Sequence, residues 1–211
     1  MKNIILICSF LTCTFIGVAQ NGIKLSEGDI KELQAQLETK AEQTNSIKAD
    51  FKQKKHLRIF KDPVESRGQL FYQKPKRILW SYDEPADYKV LISGETIKTA
   101  NNGKLSEFNI SASNQFSQIN QLLFHAVSGN IIDQDIFQTE ILLEGENYII
   151  KLDPISEELK KYIDLLKIVV VKDQMDVRRV ILYESEVDFT EIDFLNKETN
   201  ANLDEAIFTI D

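Results

Sequence analysis

Apolar and polar residues alternate with a two-residue period over the segment 47–82. Apolar side chains recur at every second position in three stretches, which are Ile47, Ala49 and Phe51, then Leu70 and Tyr72, then Ile78, Trp80 and Tyr82. Successive side chains of a β-strand point to opposite faces of the sheet. The period therefore predicts antiparallel strands that have one apolar and one polar face.

Turn signals extend this pattern along the rest of the chain. Asn102-Gly103 is a strong hairpin signal and should pair the strand before it with 104–110. Further hairpins are predicted between 88–93 and 96–100, between 139–143 and 148–152, and between 166–172 and 177–184. A strand at 187–194 should extend the sheet, and a last strand at 207–210 should close the chain. The pattern predicts about ten strands.

Three segments have a helical pattern. Ser26 and Asp29 have the spacing of a capping box at the start of a helix over 26–44, where apolar residues recur every three or four positions. The segment 114–127 carries a broader apolar stripe and ends at Ser128-Gly129. The segment 156–163 is either a short amphipathic helix or an irregular connection. The fold class is mainly β with α, with about three helices lying on the sheet.

Five short motifs occur in a fixed order between residues 51 and 94. They are Phe51-x-Gln53, Gly68-x-Leu70, the basic-Pro pair Lys74-Pro75, the aromatic run 78–82, and Pro85 followed by the Ser93-Gly94 hairpin. Near the other end, the segment 200–209 has an Asn, apolar-Asp, Ala and Phe-Thr order. Together they resemble the periplasmic outer-membrane lipoprotein carriers of the LolA family. The match is good over the first half and the C-terminus, and weak over 104–155.

The resemblance implies an unclosed antiparallel half-barrel whose concave apolar face is covered by helices and binds acyl chains. The side chains expected to line that face are Phe51, Leu70, Tyr72, Ile78, Trp80, Tyr82, Phe116 and Leu123. In the family, a basic residue before the proline helps to hold the helical lid, and Lys74 occupies that position. The aromatic and branched side chains alone are equally compatible with a filled core, and only the resemblance favours a hollow one.

The family's chain continues past the Phe-Thr strand, whereas this sequence stops at Asp211. We therefore expect a bare C-terminal edge of the half-barrel along residues 208–210. Acidic residues from Glu184 onward should discourage self-association at that edge, so a monomer is expected.

The first 19 residues have the pattern of a secretory signal peptide. Lys2 precedes an apolar run over 4–18, and Gly17-Val18-Ala19 provides the small residues of a cleavage site. The run is shorter than a membrane-spanning helix requires, although a retained anchor is the alternative. Cleavage after Ala19 predicts a periplasmic protein in which residues 20–211 form a single domain. Cys8 and Cys13 both lie in the removed segment, so no disulfide is expected.

Charge argues against nucleic acid as a partner. The formal net charge is -8, which does not favour binding to phosphate backbones or to anionic lipid. The distribution is uneven, because ten basic residues face three acidic ones over 48–77. Over 184–205, eight acidic residues face Lys197 alone. Such runs are typical of solvated strand faces.

The sequence offers little catalytic chemistry. It contains two histidines, of which His56 is expected to be solvated and His125 to pack on the second helix. No nucleophile elbow, zinc-protease motif or phosphate-binding loop is present in the sequence. We expect no catalytic residues, no metal and no cofactor.

The function implied by the resemblance is transfer of lipoproteins from the inner to the outer membrane. The expected partners are acylated lipoproteins, an inner-membrane release transporter and an outer-membrane acceptor. One alternative is a carrier of another apolar cargo, such as a glycolipid or polyene. Another is a half-barrel sensor of lipoproteins, which should come with a further domain or anchor. A hydrolase is the remaining alternative, and the shortage of histidines and motifs argues against it.

Overall fold

A computed structural model describes residues 22–85, 87–109 and 136–210 of the chain. The predicted signal peptide at 1–19 and the predicted helix at 114–127 lie outside the described residues. None of the helices within the described ranges is long and apolar enough to cross a membrane.

The described residues form one sheet of twelve antiparallel strands and one α-helix. The strands of the first half are β1 (Ile23–Lys24), β2 (Ser46–His56), β3 (Val64–Gln73), β4 (Arg77–Glu84), β5 (Tyr88–Ser93), β6 (Thr96–Asn101) and β7 (Lys104–Asn109). Those of the second half are β8 (Phe137–Glu144), β9 (Asn147–Pro154), β10 (Leu165–Val171), β11 (Asp176–Tyr183) and β12 (Phe189–Thr199). Helix α1 spans Glu27–Gln43 and begins with the predicted capping box of Ser26 and Asp29.

The strand order is β1-β8-β9-β10-β11-β12-β2-β3-β4-β5-β6-β7, so β1 and β7 are the two edges and the sheet does not close into a barrel. Two meanders, β2–β7 and β8–β12, each consist of strands that pair with their neighbours in sequence. They are joined where β12 pairs with β2, through a register that places Phe194 opposite Phe51.

The face of the sheet that carries Phe51 is called the inner face here. Apolar side chains cover it in two clusters that share Phe194, one on β8–β11 and the other on β2–β6. Helix α1 packs on the first cluster through Leu33 and Leu37, which are 2% exposed. The helix therefore covers one half of the inner face, as its narrow apolar stripe predicts.

The C-terminal segment lies on the opposite, outer face. Phe208 packs there against Phe71, Leu79 and Leu91 of β3–β5. The Arg77 guanidinium lies 4.9 Å from the centre of the Phe208 ring and also pairs with Glu205. The predicted strand at 207–210 is wrong, because residues Glu205–Phe208 form a 3-10 helix whose first turn is capped by Asp204. The expected bare edge at 208–210 is therefore also wrong.

Two further predictions need correction. The sheet has twelve strands where about ten were expected, and the two-residue strand β1 is one that the sequence pattern did not predict. Of the three expected helices, the described residues contain only α1. The segment 156–163 is an irregular connection with a short 3-10 turn at Leu159–Lys161.

Gly68 allows β3 and β4 to approach each other at a β-bulge. It pairs with Tyr82, while the preceding Arg67 pairs with Glu84, so one residue of β4 is left over. A Cβ atom at position 68 would lie 1.9 Å from the backbone oxygen of Ser81. Only glycine fits here without displacing the neighbouring strand.

Asn200 closes the C-terminal end of α1. Its side chain accepts a hydrogen bond from Asn45 N at 2.7 Å and donates one to Gln43 O at 3.0 Å. Its backbone N donates to Ser46 O at 2.7 Å, and its φ of +59° is in the left-handed region. Carbonyl groups in the last turn of a helix have no partner within the helix, so Asn200 joins α1 to the end of β12.

We expect Gly68→Ala to lower the free energy of unfolding by about 1–3 kcal/mol, because the added methyl group meets backbone and not a flexible side chain. Urea denaturation measures the effect. Gly28→Ala, inside α1, is the control, because the added Cβ would lie 3.8 Å from Ser26 Oγ, an ordinary contact distance. This variant should have equal or slightly higher stability. Equal stability of the Gly68 variant and the native protein would contradict the close approach of the strands.

Two substitutions at position 200 should separate the side-chain contacts from the backbone conformation. Asn200→Gly tolerates the positive φ but loses both side-chain hydrogen bonds, and should cost about 1–3 kcal/mol. Asn200→Ala loses the same bonds and also suffers a left-handed backbone, which adds about 1–2 kcal/mol. Denaturation curves should rank the native protein above the glycine variant and the glycine above the alanine variant. Any other order would contradict this account.

Candidate functional site

The apolar surface on the inner face of β2–β6 is the strongest candidate for a binding site, and we call it the apolar floor. Its members are at most 8% exposed, and each belongs to a strand of the sheet. They are Ile47, Ala49, Phe51, Leu70, Tyr72, Ile78, Trp80, Ile92 and Ile97. Side chains at every second position of five adjacent strands form this surface, which is the arrangement that the two-residue period predicts.

The structure brings together most of the residues predicted from the sequence. Phe51, Leu70, Tyr72, Ile78 and Trp80 all belong to the apolar floor. Tyr82 packs against it and is partly buried. The remaining two predicted residues, Phe116 and Leu123, lie outside the described residues. Four floor residues were missing from the predicted lining set. Ile47 and Ala49 belong to the two-residue period of the first strand, and Ile92 and Ile97 belong to the predicted hairpin of 88–93 and 96–100.

Aromatic rings pack edge to face within the floor. The Phe51 ring lies 5.1 Å from that of Trp80 and 5.0 Å from that of Tyr82, with interplanar angles of 71° and 79°. Tyr82 also donates a hydrogen bond to Gln53 Oε1 at 3.2 Å. Burial, and to a smaller extent the neighbouring Tyr88, raises the pKa of Tyr82 to about 12. A phenol is uncharged at neutral pH even with its ordinary pKa, and the raised pKa of Tyr82 extends the uncharged state to more alkaline solution.

A small cavity lies where the apolar floor meets the cluster under α1. Its walls are formed by Ile47, Ala49, Leu70, Val177, Phe194 and Lys197. The cavity has a volume of about 10 Å³, which holds one water-sized sphere and far less than an acyl chain. An acyl chain can enter between the clusters only if the covering elements move.

Lys197 is the one charged residue in the wall of this cavity. Its Nζ lies 2.9 Å from Asp176 Oδ1, and the same oxygen lies 3.5 Å from Lys40 Nζ of α1. Burial lowers the pKa of the Lys197 amine, whereas the bond to Asp176 opposes that shift. Two ammonium groups thus share one carboxylate between α1, β11 and β12. The sequence pattern assigned Lys197 no role, although its isolation among acidic residues was the available signal.

Lys74 lies in the turn between β3 and β4 and reaches the end of α1. Its Nζ donates a hydrogen bond to Glu42 O at 2.6 Å, and its backbone N donates to Asn45 O at 2.9 Å. A cation at the C-terminal end of a helix also interacts favourably with the helix dipole. The side chain that the family resemblance assigns to a lid thus contacts the last turn of α1.

Polar side chains line a separate, open groove of about 350 Å³. Its lining residues are Lys52, Gln53, Lys54, Glu65, Ser66, Arg67 and Glu84. Most of its charges are matched, because Lys54 pairs with Glu65 at 3.1 Å and Arg67 with Glu84 at 2.5 Å. We assign no function to it.

His56 is not the solvated side chain that was expected. It is partly buried, and its ring stacks on that of Phe189 with the centres 4.2 Å apart. Within the described part of the chain, no group of three or more His, Cys, Asp or Glu side chains is placed to hold a metal ion.

Solved structures of similar fold are distant in sequence. An uncharacterized conserved protein from Thermus thermophilus is 10% identical with a TM-score of 0.53, covering 85% of this chain and 92% of that one. MucB is 12% identical with a TM-score of 0.52, covering 88% of this chain and 64% of its own. LolA superfamily protein NE2245 from Nitrosomonas europaea is 12% identical with a TM-score of 0.45, covering 84% and 97%. At these identities, the Thermus thermophilus protein and MucB show a shared fold and no more.

Among curated proteins, none matches this chain. The model of the family described as "Outer membrane lipoprotein carrier protein LolA" matches residues 42–211. The match includes all of β2–β6, from which the apolar floor is built, and extends beyond the segments that carried the resemblance in sequence. The chain belongs to the LolA family.

Proposed function

We propose that the protein is a non-enzymatic carrier that binds the acyl chains of lipoproteins against the apolar floor and moves them between membranes outside the cytoplasm. The observation that carries the proposal is the apolar floor itself, an apolar surface on five strands of a chain that belongs to the LolA family. Each buried methylene group contributes about 0.8 kcal/mol, so acyl chains need such a surface to leave a bilayer.

The way α1 is held suits a cover that can be displaced. Its two fully buried side chains, Leu33 and Leu37, contribute together about 3–6 kcal/mol. Burial of roughly four to eight methylene groups releases a similar free energy. Lys74 and Asn200 hold the C-terminal end of the helix, and β1, two residues before the helix, pairs with β8 at the other end. An acyl chain that extends from the apolar floor beneath α1 can thus displace Leu33 and Leu37 while both ends of the helix remain attached to the sheet.

Such a carrier can release its cargo, because burial of the acyl chain is offset by the loss of the apolar contacts of α1. A chain that lies on the apolar floor and extends under α1 gains apolar burial but separates Leu33 and Leu37 from their neighbours in the β8–β11 cluster. The net affinity is the difference between these two terms and is smaller than either of them. Transfer to an acceptor then requires only a modest further gain. An inner-membrane release transporter and an outer-membrane acceptor are the partners that this function requires.

Trp80 should report acyl-chain binding, because it is the single tryptophan of the chain and belongs to the apolar floor. We expect a synthetic acylated lipopeptide to change the Trp80 emission with saturation, and the same peptide without acyl chains to have no effect. Trp80→Phe is the control and should abolish the signal while binding, measured by calorimetry, persists.

Mass spectrometry of lipids that copurify with the protein from a periplasmic extract tests the cargo class. Acylated lipoproteins are expected. A glycolipid or polyene in their place would support the alternative carrier. If no acylated ligand binds to the protein, the proposed function is contradicted.

Lys74→Leu should slow the transfer of cargo to acceptor vesicles several-fold while changing stability little. The bond from Lys74 to Glu42 O is exposed, so its loss should cost at most about 1 kcal/mol of stability. The same loss removes one of the side-chain contacts that hold the C-terminal end of α1. A lipoprotein transfer assay and a thermal melt on the same variant provide the measurement. Lys76→Leu, in the same turn, is the control and should transfer at the native rate. If both variants transfer normally, Lys74 does not control the cover.

A further inference from the structure

A β-bulge places Lys197 on the inner face of the sheet. In the register of β12 with β2, Leu195 pairs with Asp50 and Glu198 with Lys48, so two residues of β12, Asn196 and Lys197, lie opposite the single residue Ala49 of β2. Asn196 has a φ of +49° and donates to Asp50 Oδ2 at 2.8 Å on the outer side. The irregularity turns Lys197 inward, which is the usual effect of a bulge on a neighbouring side chain.

The surroundings of Lys197 are apolar apart from Asp176. Its side chain is 18% exposed, and it lines the cavity with Val177, Phe194 and three members of the apolar floor. Lysine side chains are seldom buried unless they are paired, because the charge loses its hydration, and Lys197 pairs with Asp176. A hydrophobic residue at this position would bury the same surface without that cost.

The charges of this cluster do not cancel. Asp176 is 2.9 Å from Lys197 and 3.5 Å from Lys40, so one carboxylate balances two ammonium groups and one positive charge remains. This charge lies at the boundary between α1 and the inner face, where the apolar floor begins. An incoming carboxylate can pair with Lys197 while Asp176 keeps its contact with Lys40.

We propose that Lys197 binds the carboxylate of a single-chain amphiphile, a fatty acid, whose hydrocarbon chain lies on the apolar floor. This inference rests on the proposed function, because it requires the floor to accept an acyl chain. It adds a class of cargo that a purely apolar floor would not select. A carboxylate suits the site better than a bulkier phosphate ester, because little space surrounds the amine.

Oleate and methyl oleate have the same chain and differ in charge, so they isolate the contribution of Lys197. Binding of each to the full chain, below the concentration at which it aggregates, is measured from Trp80 emission. The native protein should bind oleate at least about tenfold more tightly, since charge-assisted hydrogen bonds are the stronger kind. Lys197→Met should reduce that ratio to about one and leave the affinity for methyl oleate unchanged.

Two variants control for charge and for nonspecific effects. Lys197→Arg keeps the positive charge and should keep most of the preference for oleate. Lys151→Met removes a lysine that pairs with Glu140 at 2.9 Å and lies outside the cavity wall, and it should keep the full preference. Equal binding of both ligands by the native protein, or an unchanged ratio in Lys197→Met, would overturn the role of Lys197 alone. If neither oleate nor methyl oleate binds to the native protein, the proposed function is contradicted, and this inference with it.

Discussion

The pairing of β12 with β2 is the contact on which the rest of the structure depends. It joins a meander that begins at residue 46 to one that begins at residue 137, and no other strand pairing among the described residues connects them. Both inner-face clusters meet there at Phe194. The pairing is antiparallel and nonlocal, so its entropic cost is that of closing a long loop. Burial of the two clusters offsets that cost.

The same pairing positions each polar group that the proposed mechanism uses. The β-bulge in β12 turns Lys197 toward the inner face, and the end of β12 brings Asn200 to the last turn of α1. Lys74 reaches the same turn of the helix from the end of β3, which is paired with the other side of β2. The C-terminal end of the helix is thus attached to both meanders, and its N-terminal end follows β1, which pairs with β8. Among the described residues, its apolar contacts are to the β8–β11 cluster.

The two-residue period predicted most strands and included seven of the nine floor residues, because a sheet with one buried face imposes that period on every strand. It was misleading at the C-terminus, where Phe208 has the apolar character of a strand residue but belongs to a 3-10 helix capped by Asp204 on the outer face. The contacts of Lys197 and Asn200 were not predicted, because a bulge and a left-handed asparagine leave no signal in the two-residue period. Lys74 was identified through the family resemblance, and the structure places it against α1.

The polar contacts of α1 determine how far the helix moves when a carboxylate cargo binds. The bond from Lys74 to Glu42 O involves the helix backbone, whereas Lys40 pairs with Asp176 through side chains. If α1 moves away from the sheet, the pair at Lys40 lengthens and the carboxylate of Asp176 is left to Lys197 alone. When α1 opens, Asp176 neutralises Lys197 alone, so Lys197 binds a second anion less strongly. A carboxylate cargo would bind best before α1 has moved far, which favours a small displacement of the helix over a wide opening.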